Sequence, residues 1–68
     1  MQNQADNNII KTIIDEFADW VILRNKLDIR LATISLWLEI NYPRLRFTDQ
    51  QKQTVLVEYP KLIQVTEL

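Results

Sequence analysis

Leu27-Asp28-Ile29-Arg30-Leu31-Ala32-Thr33-Ile34-Ser35-Leu36-Trp37-Leu38-Glu39-Ile40-Asn41-Tyr42 is the stretch on which the fold turns. Ile34, Leu36, Leu38, Ile40 and Tyr42 alternate with Ser35, Trp37, Glu39 and Asn41, the period of a half-buried strand. Wound as a helix, the same residues make two apolar stripes. Leu27, Leu31, Ile34 and Leu38 lie on one side, with Ile29, Leu36 and Ile40 nearly opposite. A helix apolar on two sides is buried on two sides. The choice falls to what the rest of the chain offers as neighbours.

A strand needs a partner and a turn to bring it there, and the 68 residues contain no glycine. Glycine is the default residue for tight hairpin turns and left-handed backbone. Only Asn25 and Asn41 stand between apolar runs as left-handed substitutes. Helices start on polar caps and stop before prolines, so they lose less. The middle stretch is therefore expected to be a helix, capped by Asp28 and ended by Pro43 near Asn41. A strand at 34–42, giving an α+β fold, is the alternative.

The flanks support this choice. Over residues 7–24, Ile9, Ile10, Ile13, Ile14, Phe17, Trp20 and Val21 recur at helical spacing, with Lys11, Thr12, Asp15, Glu16 and Asp19 on the other side. Asp6 or Asn7 caps this helix and Asn25 closes it. Thr48 and Gln51 have capping-box spacing and open a third helix, with Asp49 in its first turn. Val55, Leu56 and Tyr59 form its inward stripe, and Pro60 is expected to stop or kink it. Leu62, Ile63 and Val65 then make a short terminal segment. The predicted fold is all-α: a compact three-helix domain over residues 7–68, after a disordered lead-in at 1–6. Its core packs residues 10–21 against 31–38 and 55–59.

Composition narrows the function classes. No His or Cys is present and Ser35 is the only serine, so nucleophilic and acid–base chemistry lack their usual groups. Asp15 and Asp19, one turn apart, lie opposite the apolar stripe on a solvated face. The expectation is no enzyme, no metal, no cofactor and no small-molecule substrate. The polar, acidic start lacks a signal peptide's basic region, and the longest apolar run, Trp20 to Leu23, is far too short to span a membrane. A reducing cytoplasm is the expected compartment. Apolar residues make up 47% of the chain, more than a domain of this size hides easily.

Charge is segregated along the chain. Residues 1–23 set Lys11 against Asp6, Asp15, Glu16 and Asp19. Residues 24–46 set Arg24, Lys26, Arg30, Arg44 and Arg46 against Asp28 and Glu39. Such a split points to attraction between segments, either within the fold or across a dimer. The leading functional expectation is a non-catalytic module that binds a protein, another copy of itself, through Ile29, Leu36, Trp37 and Ile40. Trp37 falls between the two stripes and is expected as the exposed contact, whereas Trp20 lies on the inward stripe and reads as core.

The stretch from Leu23 to Leu38, L-R-N-K-L-D-I-R-L-A-T-I-S-L-W-L, resembles the helix-turn-helix motif of small phage and bacterial repressors. Leu23, Leu27, Ile29, Ile34 and Trp37 match its apolar positions, and Thr33-Ile34-Ser35 matches the start of its recognition helix. Arg24 replaces the motif's small residue, Asp28 its turn glycine, and Leu31 and Leu36 stand where polar side chains would meet bases. The resemblance implies a turn near Asp28 and Ile29, and a DNA-binding regulator as the alternative function. Arg24, Lys26, Arg30, Thr33, Arg44 and Arg46 would then face the duplex.

Overall fold

The structure, a computed structural model, describes residues 3–25 and 28–67, with side chains as far as Ile63. Three helices carry the fold, as the sequence predicts: α1 (Asn7–Arg24), α2 (Leu31–Asn41) and α3 (Asp49–Glu67). Two short strands, β1 (Asn3–Gln4) and β2 (Leu45–Arg46), pair in parallel, Asn3 with Leu45 and Gln4 with Arg46. The stretch at 34–42 is helix up to Asn41, so the strand alternative does not apply. Val65 and the lysine and leucine at Lys26 and Leu27 lie outside the described side chains.

Local chemistry explains the helix ends. The Asp6 carboxylate accepts from the amides of Asn8 and Ile9 at 3.0 and 3.1 Å, satisfying two of the donors that a first turn leaves free. Asn25 closes α1 in the left-handed conformation, φ 51° and ψ 45°, its N–H reaching back to Ile22 and Val21 carbonyls. At α3, the Gln51 amide donates to the Thr48 hydroxyl oxygen at 3.0 Å and the Thr48 amide donates to Gln51 Oε1 at 2.9 Å. This is the reciprocal capping box that the spacing predicts.

Four expectations are corrected. Asp28 does not cap α2: the cap position is Arg30, with no side-chain bond, and Asp28 instead pairs with the Arg30 guanidinium at 3.5 Å in solvent. Asn41 is not left-handed; it is the last residue of α2, and its Nδ2 donates to the Trp37 carbonyl at 2.8 Å. Pro60 does not stop α3, which continues to Glu67 instead of ending in a separate terminal segment. A proline inside a helix removes one hydrogen bond. Burial of Tyr59 and Ile63 against the core on either side offsets that local loss.

The lead-in is the fourth. Residues 3–6 are tied down: the amides of Asn3 and Ala5 donate to the carbonyls of Arg44 and Arg46 at 3.0 and 2.8 Å, and Ala5 is buried. Gln51 completes the junction. Its Nε2 donates to the Ala5 carbonyl at 2.8 Å, and Gln4 Nε2 donates to Gln51 Oε1 at 3.3 Å. One side chain thus caps α3 and holds the N-terminal strand.

The core sits where the three stripes meet: Ile10, Ile13, Phe17, Ala18 and Val21 of α1, Ile34, Trp37 and Leu38 of α2, and Val55 and Tyr59 of α3. Gln51 lies beside Asn7 and Tyr59 beside Phe17, so α1 and α3 run in the same direction. Among the described residues the Cα traces of α1 and α2 stay more than 8 Å apart. Large rings bridge that distance. Trp20 is half-buried at the edge of the core, stacked on Phe17 at 5.5 Å, and not fully inside as its stripe predicts.

Two stability predictions follow from the caps and are checked by urea unfolding. Asn25→Ala should cost about 1 kcal/mol, the penalty of a Cβ in left-handed backbone, while Asn25→Gly should be neutral or slightly stabilising. Gln51→Ala should cost more than Thr48→Ala, itself about 1 kcal/mol. Only the Gln51 change should speed hydrogen exchange at the Ala5 amide, which sits in the β1–β2 ladder.

Candidate functional site

The outer face of α2 is the part of the surface that the core does not explain. Ile34, Trp37 and Leu38 face inward at i, i+3 and i+4. Leu36 and Ile40, one turn apart, face outward with 59% and 70% of their surface exposed. Ala32, one turn before Leu36, is exposed as well. An isolated exposed leucine needs no explanation, but two on one turn-spaced line, on a helix apolar on both sides, do.

Two of the four expected contact residues are not on this face. Trp37 is 7% exposed and belongs to the core. It lies one turn after Ile34, and its indole meets the Phe17 ring edge-on at 5.4 Å across the gap between α2 and α1. Ile29 precedes α2 and is half-buried, packed on the core rather than set beside Leu36. The outward face therefore rests on Leu36 and Ile40. Exposed Ile22 and Leu23 at the end of α1, and Val57 and Leu62 on α3, went unrecognised in the sequence; Ile22, Val57 and Leu62 each adjoin a residue packed on the core, while Leu23 matches an apolar position of the motif.

The basic residues come from several elements. Arg24, Arg44 and Arg46 are exposed, on α1, before β2 and within β2. Arg30 is exposed and paired with Asp28, and Thr33 is half-buried in the first turn of α2. Lys26 falls outside the described residues. Residues 28–30 are non-helical and α2 starts at Leu31, while α1 ends at Arg24, several residues before the turn of the motif quoted above.

The charge split is not neutralised inside the fold. Among the described residues the ion pairs are Arg30–Asp28 and Lys61–Glu58, and each joins residues of a single segment. Where an acidic side chain of α1 is hydrogen-bonded to the middle segment among the described residues, the donor is neutral: the Tyr42 hydroxyl donates to Glu16 Oε1. Burial, the hydrogen bond to Glu16 and that carboxylate's charge push the Tyr42 phenol up to about 12 from 10.0. Burial alone raises Tyr59.

Comparison of the chain with known protein families, curated proteins and solved structures yields no match. What fold and surface define is a small three-helix domain with an exposed apolar line on α2. No helix among the described residues is long and apolar enough to cross a membrane.

The Tyr42–Glu16 bond has a pH signature. Because burial, with the bond to Glu16, sets the folded-state pKa above the unfolded value, the stability tied to the protonated Tyr42 phenol is fully present below pH 10 and lost as pH rises toward 12. Urea midpoints of the native chain should fall across that window. Tyr42→Phe should flatten the decline, leaving the smaller part due to Tyr59. Equal slopes for the two proteins would exclude Tyr42 as the cause.

Proposed function

We propose that the chain is a non-catalytic protein-interaction module that pairs with a second copy of itself through the outer face of α2. The observation that carries this reading is the exposure of Leu36 and Ile40 one turn apart on a helix whose opposite side is already in the core. A helix with that pattern gains by burying its second side, at about 25 cal/mol per Å² of apolar surface. A two-fold axis near Leu36 would set Ile40 of one copy over the small, exposed Ala32 of the other, an isologous contact of knob and gap. The unpaired charge split favours a partner too, since the acidic α1 and basic middle of two copies can satisfy one another. A reducing, cytoplasmic setting accords with a chain that has no cysteine.

DNA contact is the competing reading. A helix that reads a groove presents polar side chains to base edges, whereas the outward line of α2 is apolar, so self-association is the reading taken here. Light scattering after size exclusion, from about 10 μM to about 1 mM chain, separates the two. The mass should rise to twice 8.1 kDa and change little with added salt. Leu36→Asp with Ile40→Lys should hold the chain monomeric with an unchanged helical circular dichroism spectrum. A native chain that remains monomeric throughout defeats the proposal. A labelled mixed-sequence duplex bound at low salt and released as salt rises would favour the DNA reading instead.

A further inference from the structure

A groove of about 410 Å³ opens between α2, β2 and the start of α3, bordering the outer face of α2 but distinct from it. Its volume lies within the ~300–1,000 Å³ range of small-molecule sites. Half-buried Tyr42 and Phe47 line it, their rings meeting edge-on at 6.4 Å, while Leu38 behind them is already covered. The Tyr42 hydroxyl is already committed to Glu16, which holds that ring in place. A flat apolar group fits against such walls, because offset and edge contacts add to simple burial.

The rim is charged and unmatched. Arg46 and Lys52 border the groove from β2 and α3, and Glu39 borders it from α2. Among the described residues none of the three makes an ion pair. Asp49, in the first turn of α3, is the nearest other carboxylate in sequence but does not line the groove. Two cations against one carboxylate, beside two aromatic rings, select a ligand with an anionic head and an apolar body. A guanidinium beside an ammonium suits a carboxylate in particular.

We propose that this groove binds a small carboxylate with an aromatic or large aliphatic body, as presented by a free apolar amino acid or by the last residue of a peptide. The carboxylate lies between Arg46 and Lys52, and the side chain rests against Tyr42 and Phe47. Glu39, from α2, distinguishes the two sources: it pairs with the ammonium of a free amino acid and has no such partner in a peptide end. The site is independent of pairing through α2.

Amide chemical shifts of the full chain, followed by NMR during titration, test the assignment with three probes: phenylalanine, N-acetyl-phenylalanine and phenylalaninamide. Both carboxylates should give saturable shifts at Leu38, Tyr42 and Phe47, with affinity on the order of 1 mM. The amide should bind roughly tenfold more weakly, and Arg46→Gln or Lys52→Gln should weaken the carboxylates by a similar factor. Leu36→Asp should leave binding unchanged. Stronger binding of phenylalanine identifies the free amino acid as the source, and equal or stronger binding of the N-acetyl form identifies a peptide end. An amide as tight as the acids, shifts that map to another surface, or shifts that never saturate would overturn the proposal. The same spectra report whether each variant is folded.

Discussion

Phe17 is the contact on which the fold depends. Its fully buried ring meets Trp20 of its own helix at 5.5 Å, Trp37 of α2 at 5.4 Å and Tyr59 of α3 at 5.1 Å. The latter two are edge-on, the geometry the ring quadrupole favours, and each such pair adds about 1 kcal/mol beyond burial. Because α1 and α2 do not approach closely along their backbones, these rings are the bridge between them. A chain of this size buries only about 60% of its unfolded surface, so a single well-filled junction weighs heavily in its stability.

The aromatic junction also settles what α2 leaves outside. Once Trp37 is drawn toward Phe17, the inward side of α2 is Ile34, Trp37 and Leu38, and Leu36 and Ile40 are forced outward by helical spacing. Tyr42, just past the helix, then lies where its hydroxyl reaches Glu16 while its ring meets Phe47. The exposed apolar line and the groove are thus two results of one packing decision, on neighbouring faces of one short helix.

Most residues whose structure is decided by near neighbours were legible in the sequence; Asp28 and Asn41, neither of which takes its expected local role, are the exceptions. Asp6, Asn25, Thr48 with Gln51, and Pro43 act over one helical turn, and all appear at the helix ends where spacing places them. Three-helix packing followed from the stripes. What escaped is what distant residues decide. The β1–β2 pairing joins residues some forty positions apart in strands too short to show a period. Helical continuation through Pro60 depends on what Tyr59 and Ile63 pack against, which no local rule contains. At the candidate site, Leu36 and Ile40 were legible from helical spacing, but Trp37 was not. Its wheel position is intermediate, and only the width of the gap to α1 decides that so large a ring turns inward.

The shared direction of α1 and α3 has a kinetic consequence. Two helices joined by a short turn run antiparallel and find each other locally, whereas parallel neighbours must wait for the intervening chain to cross over. Here the Gln51 bond to the Ala5 carbonyl closes a loop of 46 residues. Closing it before α2 and α3 have assembled would cost entropy with little enthalpy in return. Loop-closure entropy therefore favours late docking of the N-terminal segment, and assembly is expected to be slower than in an up-and-down bundle of equal length.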